Sequence, residues 1–282
     1  MNHEVIFILY DKGGILNGNI PVLFVEGNNL SEAWENSLIA LNEKGCSIRT
    51  QYDNLEGPAS KDCSMTIVVN DPLSEPMIHT DVPCSLKDLQ KYIQEMVGGI
   101  NNPLVQEKSA WREDTQCGDT VHKRLYNYTV PSLNIKYDQI KNLTQKLIKT
   151  PHTRQAQAII WKVWEDNDIT SPMCLQSIWC RLLLGDNKIW YLNSNIRFRS
   201  NDAYKVAYVD MLAIIQILKN IARDIATVTG YQVKLGRYVH QADSYHIYGS
   251  DLKYFNDKFL SVLRPRTFED NRSLTEYGNN NG

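Results

Sequence analysis

No stretch of this 282-residue chain runs to about 18 consecutive apolar residues, so no membrane-spanning helix is expected. No basic segment precedes the short apolar run at 5–9. The chain opens Met1-Asn2-His3-Glu4, which argues against a secretory signal. Positive charge is not in excess: the formal net charge is −2 and the pI about 6.3. Nucleic acid is therefore not the default partner, and charges that bind a small phosphate have to be local. The six cysteines (Cys46, Cys63, Cys84, Cys117, Cys174 and Cys180) form no CxxC pair and no metal-ligand spacing. No metal is expected, and the pattern suits reduced thiols in a cytoplasmic protein, one of them free to act as a nucleophile. No internal repeat and no domain-separating linker is visible.

What is present has ordinary globular composition, 43% hydrophobic and 22% charged, enough for a sizeable core. It reads as a single α+β domain over residues 1–282, with N-terminal strands in residues 1–30 and a polar tail at 266–282. Strands are expected at 5–9, 21–25, 65–69, 156–164, 175–184, 188–199 and 231–243. Gly185-Asp186-Asn187 makes a hairpin turn. Ser31 is expected to cap a helix over 32–44 that stops at Gly45. Ser85 and Asp88 form a capping box for a helix ending at Gly98-Gly99. Residues 99–120 read as a polar loop and 137–149 as a helix. Residues 211–229, apolar nearly all round, read as a buried central helix ended by Gly230. Ser250 is expected to cap a last helix over 251–263.

Three motifs carry chemistry. Pro172-Met173-Cys174 places a thiol between a turn and a strand. Arg199-Ser200-Asn201-Asp202 is followed, eleven positions after the arginine, by Asp210. His246-Ile247-Tyr248 puts two polar rings on one side of a strand. Taken singly, each has a plain structural reading. Cys174 suits a buried thiol, Asp202 a turn cap, Asp210 a cap for the helix that follows, and Glu95 an exposed helix residue. Arg199 and Arg154 would lower the thiol pKa if the fold brings them close to Cys174.

In this order the motifs resemble the thymidylate synthase family. The likeness runs from about Gly45 to Lys253 and is densest from Arg154 to Tyr248. It implies a large mixed sheet with helices on one face and a homodimer of sheets packed back to back. It also implies methylenetetrahydrofolate as co-substrate, a pyrimidine nucleoside monophosphate as substrate, and no membrane or nucleic-acid partner. By the same resemblance Cys174 is the nucleophile that adds to C6, and Glu95 handles protons through water. Arg199 and Ser200 bind the 5′-phosphate, with Arg154 supplied in trans by the partner and Arg49 as a further clamp. Asp202 takes the folate pterin, and His246 and Tyr248 a sugar hydroxyl. At the place of Asp210 the family usually has an asparagine that reads uracil, and the aspartate is similar to the cytidylate hydroxymethylase branch. Asp210 is thus expected to hold the base and assist catalysis, giving a dCMP or CMP C5-hydroxymethylase. The alternatives are a thymidylate synthase acting on dUMP, and a nucleotide-binding protein without catalysis. The chain departs from the pattern at Gln155, where a second arginine is usual. It departs at Val121-His122 ahead of Arg124, in a longer hairpin between Cys174 and Arg199, and in its polar C-terminal tail.

Overall fold

The computed structural model of the protein describes residues 18–100, 119–130 and 133–262. The strand expected at 5–9, most of the loop at 99–120 and the tail after Arg266 lie outside the described residues. Among the described residues eight strands form one mixed sheet. Its spatial order is β1 (Val22–Gly27), β3 (Ser60–Val69), β10 (Val233–Ile247), β8 (Trp190–Phe198), β7 (Leu175–Leu184) and β6 (Gln157–Ile159). Two short strands join from the side. β2 (Cys46–Ile48) pairs with β3, and β9 (Asn201–Asp202) pairs with β10. β1 runs parallel to β3 and β8 parallel to β10, whereas β10 on β3, β7 on β8 and β6 on β7 are antiparallel. A separate hairpin joins β4 (Tyr128–Val130) and β5 (Ile135–Tyr137).

The alternation of side chains explains the two faces. Val25, Ile67, His240, Ile196, Ile178 and Ala158 stand in register as one row across six strands, and all are buried. One residue along, the opposite face carries Phe24, Thr66, Gln241, Arg197, Ser177 and Ile159. There Phe24 is 50% and Ile159 46% exposed.

The buried face carries the helices: α1 (Leu30–Lys44), α2 (Leu86–Gly98), α3 (Val121–Tyr126), α4 (Gln139–Lys149), the short α5 (Val163–Asp166), α6 (Ala207–Thr229) and α7 (Leu252–Lys258). α6 packs against β10 and against α1, α2 and α4. It ends at Gly230, whose φ of 72° suits a residue without Cβ. Trp34 of α1 is wholly buried among His79, Tyr208 and Phe259, and its indole N–H donates to the Ala203 carbonyl at 2.8 Å. This bond ties the helix layer to the turn after β9.

Several boundaries differ from expectation. Asn29, not Ser31, caps α1. The Ser31 hydroxyl is buried and donates to the Pro76 carbonyl at 3.0 Å. The strand expected at 156–164 stops at Ile159. Further on, the Lys162 N–H donates to the Asp166 carboxylate at 2.7 Å and opens α5 instead. Ser250 does not cap the last helix, because a 3-10 turn at Gly249–Asp251 leads into α7. α6 begins four residues before Met211, with no side-chain cap. β3 begins at Ser60, and β10 continues to Ile247 past a β-bulge between Ala242 and Tyr245.

Candidate active site

The ends of β7 and β8 create the first half of the site. Leu175 pairs with Phe198, so the residues just outside this ladder, Cys174 and Arg199, become neighbours. The Arg199 N–H donates to the Cys174 carbonyl at 2.9 Å. Its guanidinium donates back to the Met173 carbonyl at 3.1 Å and to that of Pro172, gripping the turn that presents the thiol. Cys174 is exposed at the surface. Burial pushes its thiol above the ordinary value, Arg199 pulls it down and Asp210 pushes it up. Solvent reaching the exposed residue limits that rise. The expected depressed pKa is therefore not found: Arg199 acts in the expected direction but is outweighed, and Arg154 does not contribute.

Asp210 is the second half. It lies in the first turn of α6 but does not cap it. Its N–H donates to the Val206 carbonyl like any helical residue, and its carboxylate points elsewhere. One oxygen accepts from Asn201 Nδ2 at 2.8 Å and the other from the Tyr92 hydroxyl. Asn201 Oδ1 lies 3.0 Å from His240 Nε2, and His240 Nδ1 lies 3.2 Å from the Tyr238 hydroxyl. Asn201, His240 and Tyr238 are all buried. Burial lowers His240 to about 3, so the ring is neutral. With its amide oxygen on His240 Nε2–H, Asn201 can only donate toward Asp210. Burial also dominates at Asp210. It pushes the carboxyl up to about 6, against the pull of the Tyr92 and Asn201 donors and with a further push from Asp202.

The third wall comes from β10. His246 pairs with Asp62 on one side and with Asp202 on the other. Its ring meets that of Tyr248 edge-on at 4.7 Å. Burial lowers the His246 pKa and raises Tyr248 to about 12, with Asp202 and Cys174 among the charges that reach Tyr248. Asp202 Oδ1 accepts from the N–H groups of Tyr204 and Lys205 at 3.0 and 2.9 Å, so it does close a turn. Burial pushes its carboxyl up to about 6. The Asp62 carboxyl and Ser244 stand behind His246.

Arg49 opens the β2–β3 connection. Its guanidinium donates to the Asn54 and Gly57 carbonyls at 2.6 and 2.8 Å. The connection is fastened beside Tyr248, because Asp53 accepts from the Gly249 N–H at 3.2 Å and the rings of Tyr52 and Tyr248 are 6.1 Å apart. Gly249 permits this approach, since a Cβ there would lie 1.9 Å from the Pro58 carbonyl oxygen.

Cys174, Arg199, Asp210, Asp202, His246 and Tyr248 thus gather at one end of the sheet. Ser200 sits half-buried in the turn between β8 and β9. Glu95 is buried in the last turn of α2, three residues beyond Tyr92 and on the same helix face. Arg154 is not gathered in. It is exposed before β6, where its carbonyl accepts from Trp179 Nε1 at 3.0 Å. Tyr92, Asn201 and His240 carry no role in the sequence reading. The signal available for His240 was a histidine at an apolar position of an alternating strand. Among the described residues no group of three or more His, Cys, Asp or Glu is placed to hold a metal, and no helix is long and apolar enough to cross a membrane.

Comparison with known proteins shows what this chain is similar to. A family model described as "Thymidylate synthase" covers residues 36–266. A Methanocaldococcus jannaschii protein with the name "Putative thymidylate synthase" is 27% identical over 188 residues, which is 64% of this chain and 73% of that relative.

Proposed function

The chain belongs to the thymidylate synthase family of folate-dependent pyrimidine C5 transferases, and within it we propose that this protein hydroxymethylates a cytidine 5′-monophosphate, ribo or deoxy, at C5. The observation that carries this reading is the Asp210 carboxyl, held by Tyr92 and Asn201 beside the Cys174 turn and pushed up to about 6. Cytosine offers an N4 amino donor next to the N3 acceptor. A carboxyl near its titration point matches both: one oxygen accepts from N4–H, and the other, protonated, donates to N3. Uracil offers N3–H next to O4. An ionised carboxylate repels O4, whereas cytosine can take up the proton at N3 and keep both bonds.

Each remaining residue has a role in this reading. The Cys174 thiolate forms a bond to C6, and the electron pair of the C5=C6 bond becomes nucleophilic at C5 while Asp210 holds the N3–N4 edge. Arg199, poised over the Cys174 turn, favours the thiolate and with Ser200 receives the 5′-phosphate. Arg49 adds a further cation from the connection fastened to Gly249. Asp202 spends Oδ1 on two backbone N–H groups and leaves Oδ2 for a pterin donor, so the site fits methylenetetrahydrofolate. When bound, that co-substrate supplies the one-carbon unit that C5 receives. Glu95 moves the protons. The sheet face that bears no helix among the described residues, with Phe24 and Ile159 half open, supports a back-to-back homodimer. In such a dimer Arg154, remote from its own Cys174, serves the partner's phosphate site.

The name of the archaeal relative favours a second reading, reductive methylation of deoxyuridylate. One assay separates them: tritium release from C5-labelled dCMP, CMP, dUMP and UMP with methylenetetrahydrofolate, with Cys174→Ser as control. Release from a cytidylate without dihydrofolate is expected. Release from dUMP with dihydrofolate would replace this reading by the second. Binding without release from any of the four would leave a nucleotide-binding protein.

A further inference from the structure

Behind His246 lies a buried carboxylate that the proposed chemistry does not use. Asp62 on β3 is the direct cross-strand partner of His246 on β10. Period-two alternation puts Ser244 on the same side as His246, and the β-bulge between Ala242 and Tyr245 turns it toward Asp62. The Ser244 hydroxyl donates to Asp62 Oδ2 at 2.8 Å and lies 3.3 Å from His246 Nδ1. Asp62 and His246 are both 8% exposed.

A hydroxyl has one proton. Once the Ser244 proton is committed to Asp62, the oxygen can only accept from His246, so Nδ1 must carry the hydrogen. In a neutral imidazole that leaves Nε2 as a bare acceptor. We propose that Asp62, acting through Ser244, is a positioning residue that fixes His246 in its Nδ1–H tautomer and so makes Nε2 the acceptor for a sugar hydroxyl, while Tyr248 donates to the same oxygen. The inference rests on the nucleotide reading above for its ligand but not for the tautomer. Two complementary neighbours satisfy a hydroxyl fully, as acceptor from Tyr248 O–H and as donor to His246 Nε2. A sugar lacking that hydroxyl would leave both polar groups unpaired.

The test is the ¹⁵N spectrum of the His246 imidazole in the ligand-free protein, followed by affinities for 2′-deoxy- and 2′,3′-dideoxycytidine monophosphate. The wild type is expected to show Nδ1–H and a bare Nε2, and to prefer the hydroxyl-bearing nucleotide about five- to tenfold. Asp62→Asn retains an acceptor and should keep both properties. Asp62→Leu frees the Ser244 proton, so Nε2–H should appear and the preference should vanish. Ser244→Ala is a second variant with no new bulk, and it should mix the tautomers and weaken the preference. An Nε2–H wild type, or an Asp62→Leu spectrum identical to wild type, overturns the relay. A wild type with the predicted tautomer that binds neither nucleotide overturns the sugar assignment and the nucleotide reading together.

Discussion

Two of the buried polar networks among the described residues are built in opposite ways. The first joins α3, the β4–β5 hairpin and α5. Arg124, wholly buried, donates to the Asp166 carboxylate and to the Ile160 carbonyl at 3.0 Å, and its Nη2 is 3.4 Å from Glu165. Lys162, also buried, bonds Asp119 and Glu165, bonds the Thr129 hydroxyl at 3.2 Å and lies over the Tyr128 ring. Cation faces carboxylate throughout. Burial pushes Asp119 up, but bonds and charge from Lys123 and Lys162 more than reverse it, and its carboxyl sits below the ordinary value. In the second network, Tyr92–Asp210–Asn201–His240–Tyr238, the donors to the carboxylate among the described residues are neutral. There burial wins and Asp210 is pushed up to about 6. Compensated charge is what a scaffold needs. An uncompensated carboxyl near its titration point costs stability and suits a site that must match a ligand.

The comparison breaks most visibly if one partner of the ion cluster is removed. Asp166→Ala leaves the Arg124 guanidinium buried beside a gap, and unfolding in urea should show a loss of about 3–5 kcal/mol. The ratio of kcat/KM for cytidylate over uridylate should not change in the protein that stays folded. Asp210→Asn should do the reverse. At pH 8 it removes an ionised buried group, so stability should hold or rise, while the cytidylate-to-uridylate ratio should fall by about 10²-fold or more. A large stability loss in Asp210→Asn with an unchanged ratio would make the two networks alike in kind.

The scaffold was more legible in the sequence than the site. The Ser85 box and the Gly99 stop of α2, the extent of β7, the body of α6 and its end at Gly230 all follow from capping chemistry and periodicity, which are local. Cys174, Arg199 and His246-x-Tyr248 stand out in the sequence because short motifs carry them. The contacts that give Asp210 its character span 9, 39 and 118 positions. No local rule supplies the register of β10 against β8 and β3 that brings them together. Asn29 displaced Ser31 as a cap because both residue types can cap and the chain enters the helix two residues earlier. A depressed thiol at Cys174 failed for a related reason: the arginine is visible in sequence, but the Asp210 charge that the fold brings against the thiol is not.

A finer probe is His240→Leu. His240 Nε2 anchors the Asn201 amide from behind, and without it Asn201 Oδ1 is left unpaired and the amide holds Asp210 less firmly. The cytidylate-to-uridylate ratio of kcat/KM should fall about tenfold, roughly the worth of one such bond. Asn201→Asp, which places a second carboxylate at Asp210, should exceed that loss. If neither changes the ratio, the neutral donors merely fill space.

The smallest effect is a pH signature. The Asp210 carboxyl titrates near 6 in the folded protein against an ordinary 3.8. Between those values the folded state holds the proton that the unfolded state has released, so stability falls as pH rises through the window and levels off above it. Unfolding in urea at pH 5 and pH 8 should find the wild type more stable at pH 5 by about 1 kcal/mol from this group alone. Asp202, also pushed up to about 6, contributes in the same direction and remains in Asp210→Asn. The difference between wild type and that variant therefore reads Asp210 together with its repulsion of Asp202. Equal pH dependence in the two proteins would mean that Asp210 is as well compensated as Asp119, and the contrast between the networks would fail at its electrostatic root.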